Sequence, residues 1–125
     1  LARSRGLGDV YKRQISHMLG AKAFEVHLCN HWPEWGVKLL ATLGAGDYKQ
    51  VELDMIKEAL PYYRLWKKIE QTYTVGDGFV DKLCMELIGL PSSRCRPPTR
   101  DIREQYREEA RQMLIQCGTP RVIAA

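Results

Sequence analysis

The chain has 125 residues, of which 45% are hydrophobic and 27% charged, and its formal net charge is +4. These fractions are typical of a soluble globular protein and exclude a disordered, collagen-like or fibrous chain. The sequence has no apolar run long enough to predict a membrane-spanning helix.

The first fourteen residues differ from the rest of the chain. The stretch Ser4 to Gln14 resembles the translation of a sequencing adapter left at the end of a read. We therefore expect residues 1–14 to be a non-native leader and exclude them from the fold. The leader holds four basic residues and one acidic residue, so the remainder has a net charge of only +1. That balance gives no basis for a nucleic-acid partner.

The next segment predicts a β-strand. Apolar and polar residues alternate from Ala23 to Leu28, and Phe24 and Val26 belong to the apolar face. This period of two is typical of a strand with one buried face.

Helices are predicted after this strand. Pro33 suits a first helical turn, and the pattern continues to Leu43, with Gly44 expected just beyond the helix end. Asp47 is expected to cap a long helix that runs to about Tyr73. Pro61 lies inside that helix and should kink or divide it, because proline lacks an N–H and crowds the preceding turn.

The second half of the chain predicts two further helices. A break at Gly76-Asp77-Gly78 precedes a short helix from Phe79 to Gly89, and an irregular loop spans Leu90 to Pro98. The last helix begins near Thr99 to Asp101 and ends before Gly118. One strand followed only by helices cannot pair its own edges, so the patterning predicts the tail of a truncated α/β protein.

Several short motifs in this order carry a family resemblance. They are Gly20-Ala21-Lys22-Ala23-Phe24, Asn30, Pro33-Glu34, Ala45-Gly46-Asp47, Pro61, Lys82, Gly89-Leu90 and Arg96-Pro97-Pro98. Together they resemble the C-terminal part of the dihydrodipicolinate synthase / N-acetylneuraminate lyase family, over residues 15–125. The resemblance implies an α/β parent protein with a (β/α)8 TIM barrel. Residues 15–44 would be its last β/α unit and residues 45–125 a C-terminal helical extension.

The same resemblance implies an enzyme. Members are Schiff-base-forming (class I) lyases or synthases that act on pyruvate or related 2-oxo acids, breaking carbon–carbon or carbon–oxygen bonds without a cofactor. Their catalytic lysine and proton-shuttling tyrosine lie on earlier strands, so the fragment alone should be inactive, and Lys82 is expected to be structural. The parent protein is expected to be a cytoplasmic homodimer or homotetramer. Four cysteines without a CxxC spacing agree with a reducing compartment.

The candidate substrate-binding residues are Glu25, Val26 and His27, at the end of the expected last strand. In one interpretation, Glu25 or His27 contacts the substrate, because barrel active sites lie at the carboxyl ends of the strands. We assign no metal ligand, although Glu25, His27 and Cys29 on one strand face would also permit a metal-dependent lyase or hydrolase. Alternatively, the strand ends by Leu28, and Cys29 and His31 are packed or solvated loop residues.

A third possibility from another class is a helical interaction module without catalysis, in which the strand is incidental. Tryptophans Trp32, Trp35 and Trp66 are expected to pack rather than stack on bases, because no basic stripe accompanies them. No membrane partner is expected.

Overall fold

A computed structural model of the protein describes residues 5–73, 78–91 and 94–123, with side chains from Lys12 onward. The elements are six α-helices, one 3-10 helix and one π-helical turn within these ranges. In chain order they are α1 (Arg5–Met18), the 3-10 helix (His27–Asn30), α2 (Pro33–Gly44), α3 (Tyr48–Asp54), the π-turn (Met55–Ala59), α4 (Leu60–Tyr73), α5 (Phe79–Leu87) and α6 (Arg103–Cys117). None of these described helices is long and apolar enough to cross a membrane.

The predicted strand is absent from the structure. Residues 21–26 have no regular secondary structure, although the backbone of Val26 is extended (φ −143°, ψ 115°). The N–H of Cys29 then donates to the Val26 carbonyl (3.1 Å), so a 3-10 helix begins at His27. A strand exists only when a neighbour completes its hydrogen-bond ladder, and the described residues supply no such neighbour.

The fold-class prediction is therefore wrong for this chain. The described residues form a small all-helical domain, not the last strand and helix of a (β/α)8 barrel followed by an extension. The alternating apolar side chains pack against helices rather than within a sheet: Leu28 is buried in the core, and Val26 is partly buried against it.

The helix starts in the first half follow the predicted local chemistry. Pro33 occupies the first turn of α2, and the Asp47 carboxylate caps α3 by accepting a hydrogen bond from the N–H of Gln50 (3.0 Å). One detail is corrected: Gly44 is still helical, and Gly46 is the residue with a positive φ (+76°) in the turn that follows. Glycine adopts that conformation without the strain that a Cβ would cause.

Pro61 divides the long helix as predicted, through a π-turn. The N–H of Leu60 bonds to the carbonyl of Met55, five residues earlier, at the point where the α-helical pattern resumes. Pro61 follows directly, where its missing N–H falls at the start of α4. The π-turn thus accommodates Pro61, and the chain continues directly into α4.

The second half agrees with the predicted element order. Helices α5 and α6 bury the expected apolar faces, and Gly118 ends α6 with a positive φ (+80°). The described parts of the Leu90 to Pro98 segment are irregular. Residues 76 and 77 of the predicted break lie outside the described residues.

A single apolar core holds the helices together. Helix α6 packs against α4 and α5, α2 packs against α3, and α1 packs against α3 and α4. The most buried large side chains include Trp35, Tyr62, Phe79, Leu83 and Leu114. The core therefore joins residues on both sides of the boundary expected at residues 44 and 45.

All four cysteines are free thiols. Cys84 and Cys117 lie in the core, and Cys29 and Cys95 are half-buried. Burial raises the pKa of the Cys84 thiol, and it raises the pKa of Cys117 to about 11.

Candidate functional site

A buried carboxylate brings three distant segments together. Asp81, in the first turn of α5, is only 6% exposed. One of its oxygens lies 2.8 Å from Nδ1 of His27 in the 3-10 helix, and the other accepts a hydrogen bond from the hydroxyl of Tyr62 in α4. Both donors compensate for the burial of the carboxylate. We call these three residues the Asp81 cluster.

The geometry of the Asp81 cluster fixes the state of His27. An ionised carboxylate only accepts hydrogen bonds, so Nδ1 of His27 carries the proton. Nε2 makes no hydrogen bond to a described residue, and the side chain is 22% exposed. The imidazole ring also packs against Trp66, with ring centroids 4.7 Å apart. Nε2 is therefore a free acceptor on an oriented ring, and Asp81 would stabilise the imidazolium formed when it takes a proton.

Burial affects the protonation of Tyr62 in the cluster and of His31 beside it. Burial and the Asp81 charge both raise the pKa of Tyr62, so its hydroxyl stays protonated and donates. His31 is fully buried beside Tyr62, with ring centroids 5.6 Å apart. Its Nδ1 has no hydrogen-bond partner among the described residues, and burial lowers its pKa to about 4. His31 is thus neutral at physiological pH.

Only one of the three predicted site residues joins this cluster. His27 does, whereas Glu25 is exposed and Val26 packs against the core. The expected common face of residues 25, 27, 29 and 31 is also not observed. The Cys29 sulfur lies against Gly36 of α2, at a position that would clash with a Cβ, and His31 is buried near Tyr62.

The sequence reading missed Asp81 and Tyr62. A signal was present for Asp81, because it stands beside Val80 and Leu83 on the face of α5 that turns inward. A charged residue on an apolar helix face needs a buried partner. Its partner His27 is 54 residues away in the chain, so only the fold identifies it.

The described side chains also bear on metal ligation and on lysine reactivity. In the described part of the chain, no group of three or more His, Cys, Asp or Glu side chains could hold a metal ion. The pKa values of Lys38 and Lys68 are raised, because their ammonium groups donate hydrogen bonds to carboxylates. A Schiff-base lysine needs the opposite shift. Lys82 is half-buried in α5 and lies outside the Asp81 cluster.

No protein-family model matches the chain, and no similarity to a curated protein or to a solved structure was detected.

Proposed function

We propose that this chain is the C-terminal part of a Schiff-base-forming lyase or synthase that acts on pyruvate or a related 2-oxo acid. The observation that carries the proposal is His27, whose imidazole is oriented by a buried carboxylate and whose Nε2 is free. The proposal also draws on the resemblance of residues 15–125 to the dihydrodipicolinate synthase / N-acetylneuraminate lyase family. Among the three residues expected to contact substrate, His27 alone has this support.

In such an enzyme a lysine amine attacks the substrate ketone and forms an iminium, which accepts electrons during bond cleavage or formation. We place that lysine outside this chain. The role proposed for His27 is to donate or accept a proton at the bound 2-oxo acid, because an imidazole held in place by a carboxylate suits proton transfer. Asp81 is then a positioning residue, since it acts through His27.

The test requires the full-length protein that contains this chain. Borohydride reduction in the presence of pyruvate should give a stable lysine adduct, and peptide mass mapping should locate it outside residues 15–125. Absence of any adduct, together with loss of activity in a chelator, would overturn the lyase proposal. An adduct on a lysine within residues 15–125 would refute the placement of the catalytic lysine.

His27→Gln and His17→Gln form a matched pair for the proposed role. His17 also has its Nδ1 close to a protein group, the hydroxyl of Tyr48 at 3.1 Å, but it lies in α1 away from Asp81. We expect His27→Gln in the full-length enzyme to lower kcat by about 100-fold, the usual contribution of one proton-transfer group. His17→Gln should leave kcat within about twofold. Equal effects of the two substitutions would argue against the role of His27.

The remaining properties are proposed on the same basis. The four free thiols favour the cytoplasm as the compartment. A homodimer or homotetramer is the expected assembly of the parent enzyme. Sedimentation of the full-length protein would measure its mass directly.

A helical interaction module is the second candidate, and one observation favours it. An apolar groove of about 210 Å³ lies between residues 24–29 and α2, and the exposed side chains of Val37 and Leu40 border it. Exposed apolar surface of this kind often marks a contact site. If the 125-residue chain forms a defined oligomer that Val37→Glu disrupts and Lys49→Glu does not, this candidate would be favoured over catalysis.

A further inference from the structure

A polar groove lies at the start of α6. Its volume is about 410 Å³, and four arginines and three carboxylates contribute to its lining. A groove of this size falls within the range of small-molecule sites. The four guanidinium groups exceed the three carboxylates by one positive charge.

The carboxylates of this groove are already engaged. Asp101 receives two hydrogen bonds from the Arg103 guanidinium (Nε to Oδ1 3.0 Å, Nη2 to Oδ2 2.8 Å), which is a bidentate pair. Arg103 also donates to Glu86 (3.2 Å). Arg107 bridges Glu86 and Glu104. Arg103 and Arg107 thus pair with the carboxylates and hold the lining of the groove together.

The ion pair with Arg103 keeps the Asp101 carboxylate charged. The Arg103 hydrogen bonds lower the pKa of Asp101 to about 2, and Glu104 and Glu86 raise the pKa of Arg107. The pair of Asp101 and Arg103 therefore keeps both of its charges across the physiological pH range. Such a fixed frame is suited to recognition, because its side chains are ordered before a ligand arrives.

The two remaining arginines are open to a ligand. Arg94 is 82% exposed and makes one long contact with Asp101 (3.2 Å), whose oxygens Arg103 already occupies. An ion pair this exposed contributes little, so exchanging it for a ligand costs little. Arg100 is exposed and makes no hydrogen bond or ion pair with a described residue.

We propose that this groove binds the phosphate group of a small phosphomonoester through Arg94 and Arg100. A phosphate carries close to two negative charges and presents three oxygens, so two guanidinium forks can approach it from different directions. A planar monocarboxylate offers two oxygens and half the charge. The proposal is independent of the lyase function, because it uses none of the residues of the Asp81 cluster.

The experiment is a titration of the 125-residue chain with glycerol 3-phosphate, inorganic phosphate and malonate, followed by calorimetry and by NMR of the arginine Nε–H groups. We expect glycerol 3-phosphate to bind with a Kd on the order of 1 mM at low salt and to shift the Arg94 and Arg100 signals. Binding should weaken when the ionic strength is raised. Tighter binding of inorganic phosphate than of glycerol 3-phosphate would overturn the proposal that the ligand is a phosphomonoester and would indicate free phosphate instead. Malonate binding as tight as either would refute phosphate recognition.

Arg100→Ala and Arg64→Ala are the matched variants. Both remove one exposed arginine, and Arg64 lies in α4 outside this groove. We expect Arg100→Ala to weaken binding at least fivefold or so, because a charge-assisted contact is lost, while Arg64→Ala changes it less than about twofold. Circular dichroism should show both variants folded. Equal weakening by the two variants would mean that net charge alone attracts the anion, and the proposed site would be rejected.

Discussion

Asp81 is the residue on which the polar interior depends. Its carboxylate accepts from both His27 and Tyr62, and it is too buried for water to replace either donor. An amide at this position offers one acceptor oxygen, and its NH2 group would face one of the two donors. An asparagine, which has the same shape, can therefore keep one of the two hydrogen bonds but not both.

We predict that Asp81→Asn lowers the free energy of unfolding by about 2–4 kcal/mol, because it leaves a buried donor unpaired. Urea denaturation monitored by circular dichroism would measure the loss. Glu25→Gln, which neutralises an exposed carboxylate, should change stability by less than about 0.5 kcal/mol. Similar small effects of both substitutions would contradict the structural role of Asp81.

His31 makes stability depend on pH. In the folded protein its pKa is about 4, against an ordinary value of 6.5. As the pH falls through this window, the unfolded chain takes up a proton that folded His31 does not, so the unfolded state is favoured. The contribution of His31 is therefore complete above about pH 6.5 and lost progressively toward pH 4.

The shift of this one histidine corresponds to about 3 kcal/mol of stability lost between pH 6.5 and 4. Because carboxylates also titrate in this range, the measurement compares the wild-type chain with His31→Leu. Between pH 6.5 and 4 the leucine variant should lose less stability than the wild-type chain, by this amount. Parallel curves for wild type and His31→Leu would count against the shifted pKa.

At the scale of elements, local chemistry determined where most helices begin and end. Asp47 caps α3 with its own carboxylate. Pro33 favours the start of α2 because its ring fixes φ, and Gly118 favours the end of α6 because a residue without a Cβ readily adopts a positive φ. Each of these signals acts within four residues, so the sequence suffices to predict it. The strand prediction at residues 23–28 failed because a strand needs a partner from elsewhere in the chain. The Asp81 cluster could not be predicted for the same reason, since His27 and Asp81 are distant in sequence.

The cap of α3 gives a prediction at this scale. Asp47→Ala should lower stability by about 1 kcal/mol, because the Gln50 N–H loses its acceptor at the exposed end of the helix. Thermal or urea unfolding would detect it. Asp47→Ser should restore most of the loss, since a serine hydroxyl can also cap, whereas Lys49→Ala tests the effect of an unrelated exposed change. A serine variant as unstable as the alanine variant would speak against capping as the cause.

At the scale of the whole molecule, the N-terminal segment contributes polar contacts to neighbouring helices. Among the side chains that the structure describes, from Lys12 onward, the buried apolar residues begin at Leu28, and residues 13 and 14 make part-buried hydrogen bonds to α4 and α3. These contacts are Arg13 to the Tyr63 hydroxyl and Gln14 to the Tyr48 carbonyl, both 2.9 Å. Two hydrogen bonds contribute far less to stability than the burial of an apolar core.

We therefore predict that a chain lacking residues 1–14 still unfolds cooperatively, with a stability lower by no more than about 2 kcal/mol. Urea denaturation of the two chains would compare them. As a control, Leu114→Ala in the full chain removes a fully buried side chain and should cost about 2–5 kcal/mol. If the shortened chain loses its cooperative transition, residues 1–14 are part of the folding unit.

The cysteine thiols differ in burial, so their alkylation can report which helices separate when the protein opens. Because Cys84 and Cys117 are enclosed by the core and hold their protons tightly, an alkylating reagent can reach them only during an excursion that separates the helices. Cys95, which is half-buried in the loop before α6, needs a far smaller opening. Pulse alkylation read by mass spectrometry should therefore label Cys95 first and the two core thiols together and late, at the rate of global unfolding. Early labelling of Cys84 without Cys117 would instead reveal that α5 detaches from α6 on its own.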